Sequence, residues 1–416
     1  MNDLKELLGI QDFRRLWFGQ IVSDFGDGMT LLGLLILTQR LTGSTVALAG
    51  VAIAATLPMI LFGIPAGALV DRVDRRRIMI ASDIGRAIVV AMFMFVRSPD
   101  LMWLLYFLAF AQATIGTVFT PAKSALIPLV VPEDKLLAAN TVSQMSRVVA
   151  NLAGTAVLGA IASFSTYLTV AFGLDALTFA LSAVFLSTMA LKDTKASRTT
   201  ESPGFLRDLT VGLSTLVKSR TLLGVLTAGG IAMLGLGAVN VLMVPLVVDV
   251  LDAGELWFGA LSAMQVIGML ISGSAVAVLA KQFAPTRLIT WGMIGAGIAV
   301  GAIAGVSTVW QLGLILLVLG VLVAPVQAGV ATLAQTLVAD ELRGRVNSAL
   351  NTVISLAMVV SQAFAGIIAA ALGIGMVFLI GGTLTVVAGI ASGVLFATDR
   401  RSEVSSPDLV ATQASA

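Results

Sequence analysis

Neither cysteine nor histidine occurs among the 416 residues. Their absence excludes disulfides, thiol nucleophiles, most zinc sites and every catalytic dyad or triad built on imidazole. Charge is scarce as well. Only 12% of residues are Asp, Glu, Lys or Arg, against about 25% in a soluble globular chain. A chain of this length with so little charge cannot cover itself with a water-compatible surface. No Gly-Lys-Ser/Thr phosphate loop is present, so ATP drive has no support in this polypeptide. The first residues carry Asp3, Lys5, Glu6 and Asp12 without a small-residue cleavage pattern. The first apolar stretch is therefore expected to be a retained span and not a signal peptide. No cofactor, no metal site and no enzymatic activity is expected.

What is present is apolar. Hydrophobic residues make up 58% of the chain and the mean hydropathy is +1.00. A transmembrane helix needs about 20 largely apolar residues. Segments meeting this requirement run over 15–39, 45–70, 78–97, 101–122, 138–163, 167–191, 221–248, 256–280, 287–306, 309–337, 346–372 and 374–397. Twelve transmembrane helices in an all-α membrane protein are expected. Of the 25 Lys and Arg residues, only Arg40 and Arg97 fall on the outside if the N-terminus is cytoplasmic, and Arg86 and Arg147 lie within spans. The positive-inside rule thus predicts cytoplasmic termini. The basic pI of 9.1 reads as membrane topology, and no nucleic-acid partner is expected.

The polar stretch from Lys192 to Arg220 reads as a cytoplasmic linker. The expected organisation is a six-helix bundle over 1–191, the linker over 192–220, a second bundle over 221–399 and a disordered cytoplasmic tail over 400–416. An internal repeat supports the two halves. Val131-Pro-Glu-Asp-Lys-Leu-Leu-Ala-Ala-Asn140 follows the fourth span. Val338-Ala-Asp-Glu-Leu-Arg-Gly-Arg-Val-Asn347 follows the tenth, 207 residues later.

Span two ends in Gly67-Ala-Leu-Val-Asp-Arg-Val-Asp-Arg-Arg-Arg77. This resembles the signature loop G-x-L-x-D-R-x-G-R-R of the major facilitator superfamily, with Asp74 where the pattern has Gly. The six-plus-six parallel repeat is that superfamily's arrangement. Gln11 to Ser23, Thr42-Gly-Ser-Thr45, Asp71 to Ile80, Pro121 to Pro128 and Glu341-Leu-Arg-Gly-Arg345 together resemble its drug-efflux branch, which contains macrolide exporters, Tap-type multidrug pumps and the enterobactin exporter. Phe25-Gly-Asp27 also resembles lysophospholipid transporters. The Gly-Pro pair of the antiporter motif is lacking around Asn151-Leu-Ala-Gly154. The resemblance implies a conformational latch of Gly67, Asp71 and Arg72, joined by Arg75 and Arg76, that stabilises the outward-facing state. Those arginines could instead be topology signals alone. Gly63 and Gly67, four apart, are expected to let another helix approach closely.

Ionisable groups inside a bilayer are costly, so each is a functional candidate. Span one carries Gln20, Asp24 and Asp27 at helical spacing on one face. Span five carries Asn140, Gln144, Arg147 and Asn151 as a single polar stripe that should face a cavity. An unpaired buried Arg is not tolerable, so a pair between Arg147 and Asp24 or Asp27 is expected. The alternative is a purely structural hydrogen-bonding role for these carboxylates. Asp83 and Arg86 in span three are expected to extend the latch. Asp175 in span six is a lone carboxyl with a possible part in coupling. Asn351, with Asn347 one turn before it, either lines the cavity or bridges helices. The reading is a secondary active transporter: a proton-coupled exporter of drugs or other amphipathic small molecules by rocker-switch alternating access, in the cell membrane, acting as a monomer and contributing to antibiotic resistance. Its partners would be a small amphipathic solute, protons and membrane lipids. A lipid or lysophospholipid flippase, and a siderophore exporter, are the alternatives.

Overall fold

The computed structural model describes residues 2–70, 72–161, 166–191, 205–338 and 340–404. The linker residues 192–204 and the tail residues 405–416 lie outside them. The described chain is almost entirely helical. Its α-helices are α1 (Asn2–Gly9), α2 (Gln11–Thr42), α3 (Thr45–Val70), α4 (Arg75–Met92), α5 (Met102–Gly116), α6 (Phe119–Val130), α7 (Leu136–Ala160), α8 (Tyr167–Ser187), α9 (Phe205–Lys218), α10 (Arg220–Pro245), α11 (Trp257–Gln282), α12 (Pro285–Ala302), α13 (Val309–Leu337), α14 (Asp340–Leu372) and α15 (Ile374–Val404).

Local chemistry sets several boundaries. α2 stops at Gly43, whose φ of 59° is left-handed and whose N–H donates to the Gln39 carbonyl, an arrangement glycine adopts without a Cβ penalty. α4 starts at Asp74, whose carboxylate accepts from the Arg77 N–H at 2.8 Å. The Asp that departs from the superfamily pattern therefore serves as a helix N-cap. α13 opens with a capping box between Thr308 and Gln311.

Ten helices among the described residues are long and apolar enough to cross a membrane. Twelve were expected. The two places not among the ten are α7 and α11. α7 is a 25-residue helix whose polar stripe lowers its mean hydropathy. In α11 the apolar stretch, Trp257–Gly273, is shorter than the others. α5 and α6, interrupted at Thr117 and Val118, form one candidate span, Pro99–Val130. Large apolar side chains stand exposed along these helices, among them Phe95, Trp103, Phe107, Trp291 and Trp310. So much uncovered apolar surface fits a hydrocarbon solvent and not water. The protein is a multi-pass membrane protein.

The chain forms two compact units. One comprises Met1–Glu201 with Met243–Ala263, the other Ser202–Leu242 with Met264–Ala416. In the first, α2 packs against α7 and α8, α4 against α8, and α3 against α5. One apolar cluster joins Phe13 and Leu16 of α2, Ile78 and Met79 of α4, and Phe119, Leu126 and Ile127 of α6. In the second unit, α12 packs against α13 and α15, and α9 against α14.

α2 meets α7 at very short range. A Cβ built on Gly154 would lie 1.9 Å from the Phe25 carbonyl oxygen, and one on Gly28 would lie 2.1 Å from that of Asn151. Thr155 Oγ1 fastens the crossing by donating to the Gly28 carbonyl at 3.1 Å. By contrast, a Cβ on Gly63 or Gly67 would meet nothing within 4 Å. The close approach expected at that pair is thus absent among the described residues and occurs at Gly28 and Gly154. A small-residue pair permits a neighbour, but the packing of the other helices decides whether one arrives.

Candidate functional site

The polar residues of α2 and α7 face a common cavity of about 330 Å³. α2 contributes Gln20, Ser23, Asp24 and Asp27, and α7 contributes Asn140, Ser143, Gln144 and Arg147. α4 adds Arg86, and α6 adds Thr120, Lys123 and Ser124. The helical period explains this convergence, since residues three and four apart share a face and the Gly28–Gly154 crossing brings the two polar faces side by side. A second cavity of about 280 Å³ adjoins Asp27 and Arg86 and is lined by Thr30, Gln112 and Asn151.

Arg86 is the hub of the ionic network. Its side chain is 9% exposed. Its Nη2 donates to Asp83 Oδ1 at 2.6 Å, and its Nη1 lies 3.7 Å from Asp27 Oδ2. The guanidinium stacks between the rings of Phe119 and Phe179, at 4.6 and 4.2 Å from their centroids. A buried guanidinium needs carboxylates and is favoured by aromatic faces, and this one has both. Asp83 is fully buried, while the Asp27 side chain is 36% exposed. The two carboxylates are therefore unequal. Asp83 is held tightly and closed off; Asp27 is held loosely and open to the cavity.

This arrangement corrects the expected pairing. Among the described residues Arg147 makes no ion pair with Asp24 or Asp27. Asp27 is taken by Arg86, which reaches it from α4, a helix that spacing along α2 and α7 cannot bring into view. Asp83 and Arg86, expected beside the latch, are thus joined to Asp27 of the cavity. Asp24 is within electrostatic reach of Lys123, Arg147, Asp27 and Arg86 without touching a cation at ion-pair distance. Asp175 is fully buried and accepts hydrogen bonds from Thr30 Oγ1 and Thr178 Oγ1. It sits where Gly26 leaves room, because a Cβ there would lie 2.0 Å from its Oδ1. Gln20 is buried and lines the cavity, and its Nε2 has no partner among the described residues. Asn351 stands exposed on α14 in the second unit.

Hydropathy places Lys123 with the cytoplasmic positive charges just beyond the fourth span, whereas the structure places it in the cavity lining. The missed signal was the run Thr120, Lys123, Ser124, a polar face continuing three and four residues apart.

In the signature loop, Asp71 lies outside the described residues and Arg72 is exposed. Arg75 Nη1 donates to the Ala125 carbonyl at 3.3 Å. Arg76 donates to the carbonyls of Leu186 at 2.9 Å, of Leu191 at 3.3 Å, and of Ser187. The Leu186 and Ser187 carbonyls end α8, where orphan acceptors and the helix dipole both favour a cation. Arg76 thus ties the start of α4 to the end of α8 within its own unit.

At the other end of α2, Arg40 holds Glu255 through Nε and Nη2 at 3.0 and 2.9 Å. Tyr167 donates its hydroxyl to the same carboxylate and lies under the Arg40 guanidinium. Gln39 donates to Asp249. Two polar anchors therefore fix Met243–Ala263 to the unit built from the first 201 residues.

The major facilitator superfamily profile matches residues 16–362 and 225–415. Macrolide efflux protein A of Streptococcus pyogenes is 26% identical over 383 residues, covering 90% of this chain and 93% of that protein. The MFS-type transporter YfiS of Bacillus subtilis is 28% identical over 383 residues, covering 89% and 90%. Among solved structures, a mutant form of the nucleoside transporter NupG superposes with a TM-score of 0.80 at 11% identity, covering 92% of this chain and all of that one, a likeness of fold alone. Membership of this family, the apolar helices and the ion-lined cavity lead to one conclusion: the chain belongs to the major facilitator superfamily and is a membrane transporter of small solutes, not an enzyme.

Proposed function

We infer that the protein is a proton-coupled exporter of drugs or other amphipathic small molecules, working by rocker-switch alternating access in the cell membrane. The observation that carries this reading is the unequal sharing of Arg86. Asp83 holds the guanidinium at 2.6 Å, while Asp27 reaches it at 3.7 Å from a cavity. A carboxylate so placed can leave its cation, take a proton and return, with Asp83 keeping Arg86 compensated throughout. Asp24 and Asp175, both near Asp27, give that proton neighbouring stations. The energetics suffice. One proton crossing ~100 mV yields about 2.3 kcal/mol, and a pH unit adds about 1.4 kcal/mol. Together they sustain a solute gradient of a few hundred-fold at about 1.4 kcal/mol per decade.

This reading takes twelve spans in two six-helix bundles, both termini cytoplasmic, a monomer, and Gly67, Asp71, Arg72, Arg75 and Arg76 as the latch. The efflux name carried by the Streptococcus relative supports the outward direction. A lipid or lysophospholipid substrate is favoured by one feature, an apolar cavity of about 500 Å³ along α2 and α7 lined by Ile21, Val22, Phe25, Met145, Val149 and Ala153.

Everted vesicles loaded with fluorescent amphiphiles and labelled lysolipids, with and without a pH gradient, test both readings. Asp27→Asn should abolish uphill accumulation and spare downhill exchange. Uphill transport surviving in both Asp24→Asn and Asp27→Asn would end the proton-coupling proposal, and a lipid signal indifferent to pH would replace it.

A further inference from the structure

The side chains lining the cavity between α2, α6 and α7 include three cations and two carboxylates. Arg86, Lys123 and Arg147 face it, against Asp24 and Asp27. Arg86 is already committed to Asp83 and Asp27. That leaves Asp24 alone opposite Lys123 and Arg147. Among the described residues neither of these cations has a carboxylate within 4 Å, and neither makes a hydrogen bond. They are nevertheless close enough to influence each other and Asp24 electrostatically. Nor are they terminal charges. Lys123 lies seven residues inside the end of α6 and Arg147 eleven residues inside the start of α7, or about 10 and 16 Å along the helices at ~1.5 Å per residue. Lys123 is half-buried and Arg147 is exposed, so both remain open to a solute that enters the cavity. Thr120, Ser124, Ser143 and Gln144 surround the pair in the same cavity, supplying neutral hydrogen-bonding groups and no further anion.

We propose that Lys123 and Arg147 form the seat for an acidic group, a carboxylate or phosphate, on the transported solute. The substrates would then be anionic or zwitterionic amphiphiles and not simple lipophilic cations. The acidic group supplies the partner at ion-pair distance that neither cation has among the described residues. The guanidinium of Arg147 can grip it by two parallel N–H donors while the Lys123 ammonium adds a point charge. Asp24, within reach of both cations, is free to pair with an amine on a zwitterion or to yield its cations to the incoming acid. This inference rests on the transport reading for its context, but it concerns binding and can stand or fall separately.

The test uses the purified full chain in lipid nanodiscs and matched probes. One pair is dansyl-phenylalanine and its methyl ester; the other is a fluorescent lysophosphatidylglycerol and the corresponding neutral monoacylglycerol. Wild type should bind at least one acid about tenfold more tightly than its neutral partner, the scale of a charge-assisted pair. Lys123→Gln or Arg147→Gln should cut that preference to about threefold or less, while Lys123→Arg and Arg147→Lys should preserve most of it. Preference in the dansyl pair assigns the acid to a free solute, and preference only in the lysolipid pair assigns it to a lipid headgroup; either supports the seat. Wild type showing no preference in both pairs would overturn the proposal and needs no variant to fold. So would a full preference persisting in both Gln variants. Acid binding without accumulation in everted vesicles would instead count against export and leave the seat intact.

Discussion

Gly154→Ala probes the crossing that builds the cavity. The added methyl would sit 1.9 Å from the Phe25 carbonyl oxygen, whereas real Cβ atoms essentially never approach closer than 3.0 Å. Both partners are helix backbone, so no side chain can swing away, and α2 and α7 must separate by roughly 1 Å or more. The Thr155–Gly28 hydrogen bond, now 3.1 Å, would open to about 4 Å and be lost. Overpacking costs ~1–3 kcal/mol and the interhelical bond about another 0.6. The gain in helix propensity offsets at most ~1 kcal/mol. Gly63→Ala is the control, because it carries the same propensity gain with no atom within 4 Å of its new methyl. Relative to that control, Gly154→Ala should be destabilised by roughly 2–4 kcal/mol. Transport should fall as well, because the shift acts on α2, which carries Asp27. Thermal melting of both purified variants in detergent, followed by vesicle transport, decides the matter. Equal melting midpoints and equal transport would refute the close-crossing argument.

Arg86→Gln leaves the fully buried Asp83 facing no cation, and breaking such a pair costs about 3–5 kcal/mol. The double variant with Asp83→Asn should recover much of that loss in a melting experiment without restoring uphill transport. Glu255→Ala removes the acceptor of the buried Tyr167 hydroxyl and the partner of Arg40. A cost of ~1–3 kcal/mol and faster proteolysis within 243–263 are expected. Lys135 Nζ donates to Glu6 Oε2 at 2.6 Å, and this hydrogen bond, with the ammonium charge, holds the Glu6 carboxyl below its ordinary value of 4.5. The docking of α1 that this pair supports is accordingly present above about pH 4.5 and fades as pH falls through the lowered value. Amide exchange in α1 should rise over that window in wild type and show no such step in Lys135→Ala.

Helical period made much of the site legible. Gln20, Asp24 and Asp27 share a face because they recur every three to four residues, and so do Asn140, Gln144, Arg147 and Asn151; both faces line cavities of the first unit. The partner of each charge was not legible. Spacing points to Asp24 or Asp27 as the mate of Arg147, but Asp27 is met by Arg86 from α4, stacked between Phe119 and Phe179. Hydropathy alone ends the fourth span at 122, just before Lys123, whereas the apolar stretch runs on to Val130.

The sequence by itself determined the solvent. With 12% charged residues and no histidine or cysteine, the chain had to be a membrane protein without imidazole or thiol chemistry, and the signature loop disclosed its superfamily. Only the tertiary structure decided which glycines touch, which carboxylates hold Arg86, and which cations have none at ion-pair distance among the described residues. The reason is physical. Periodicity orders side chains around one helix axis, whereas ion pairs and close crossings depend on the distance and angle between separate helices, which the packing of the whole unit sets.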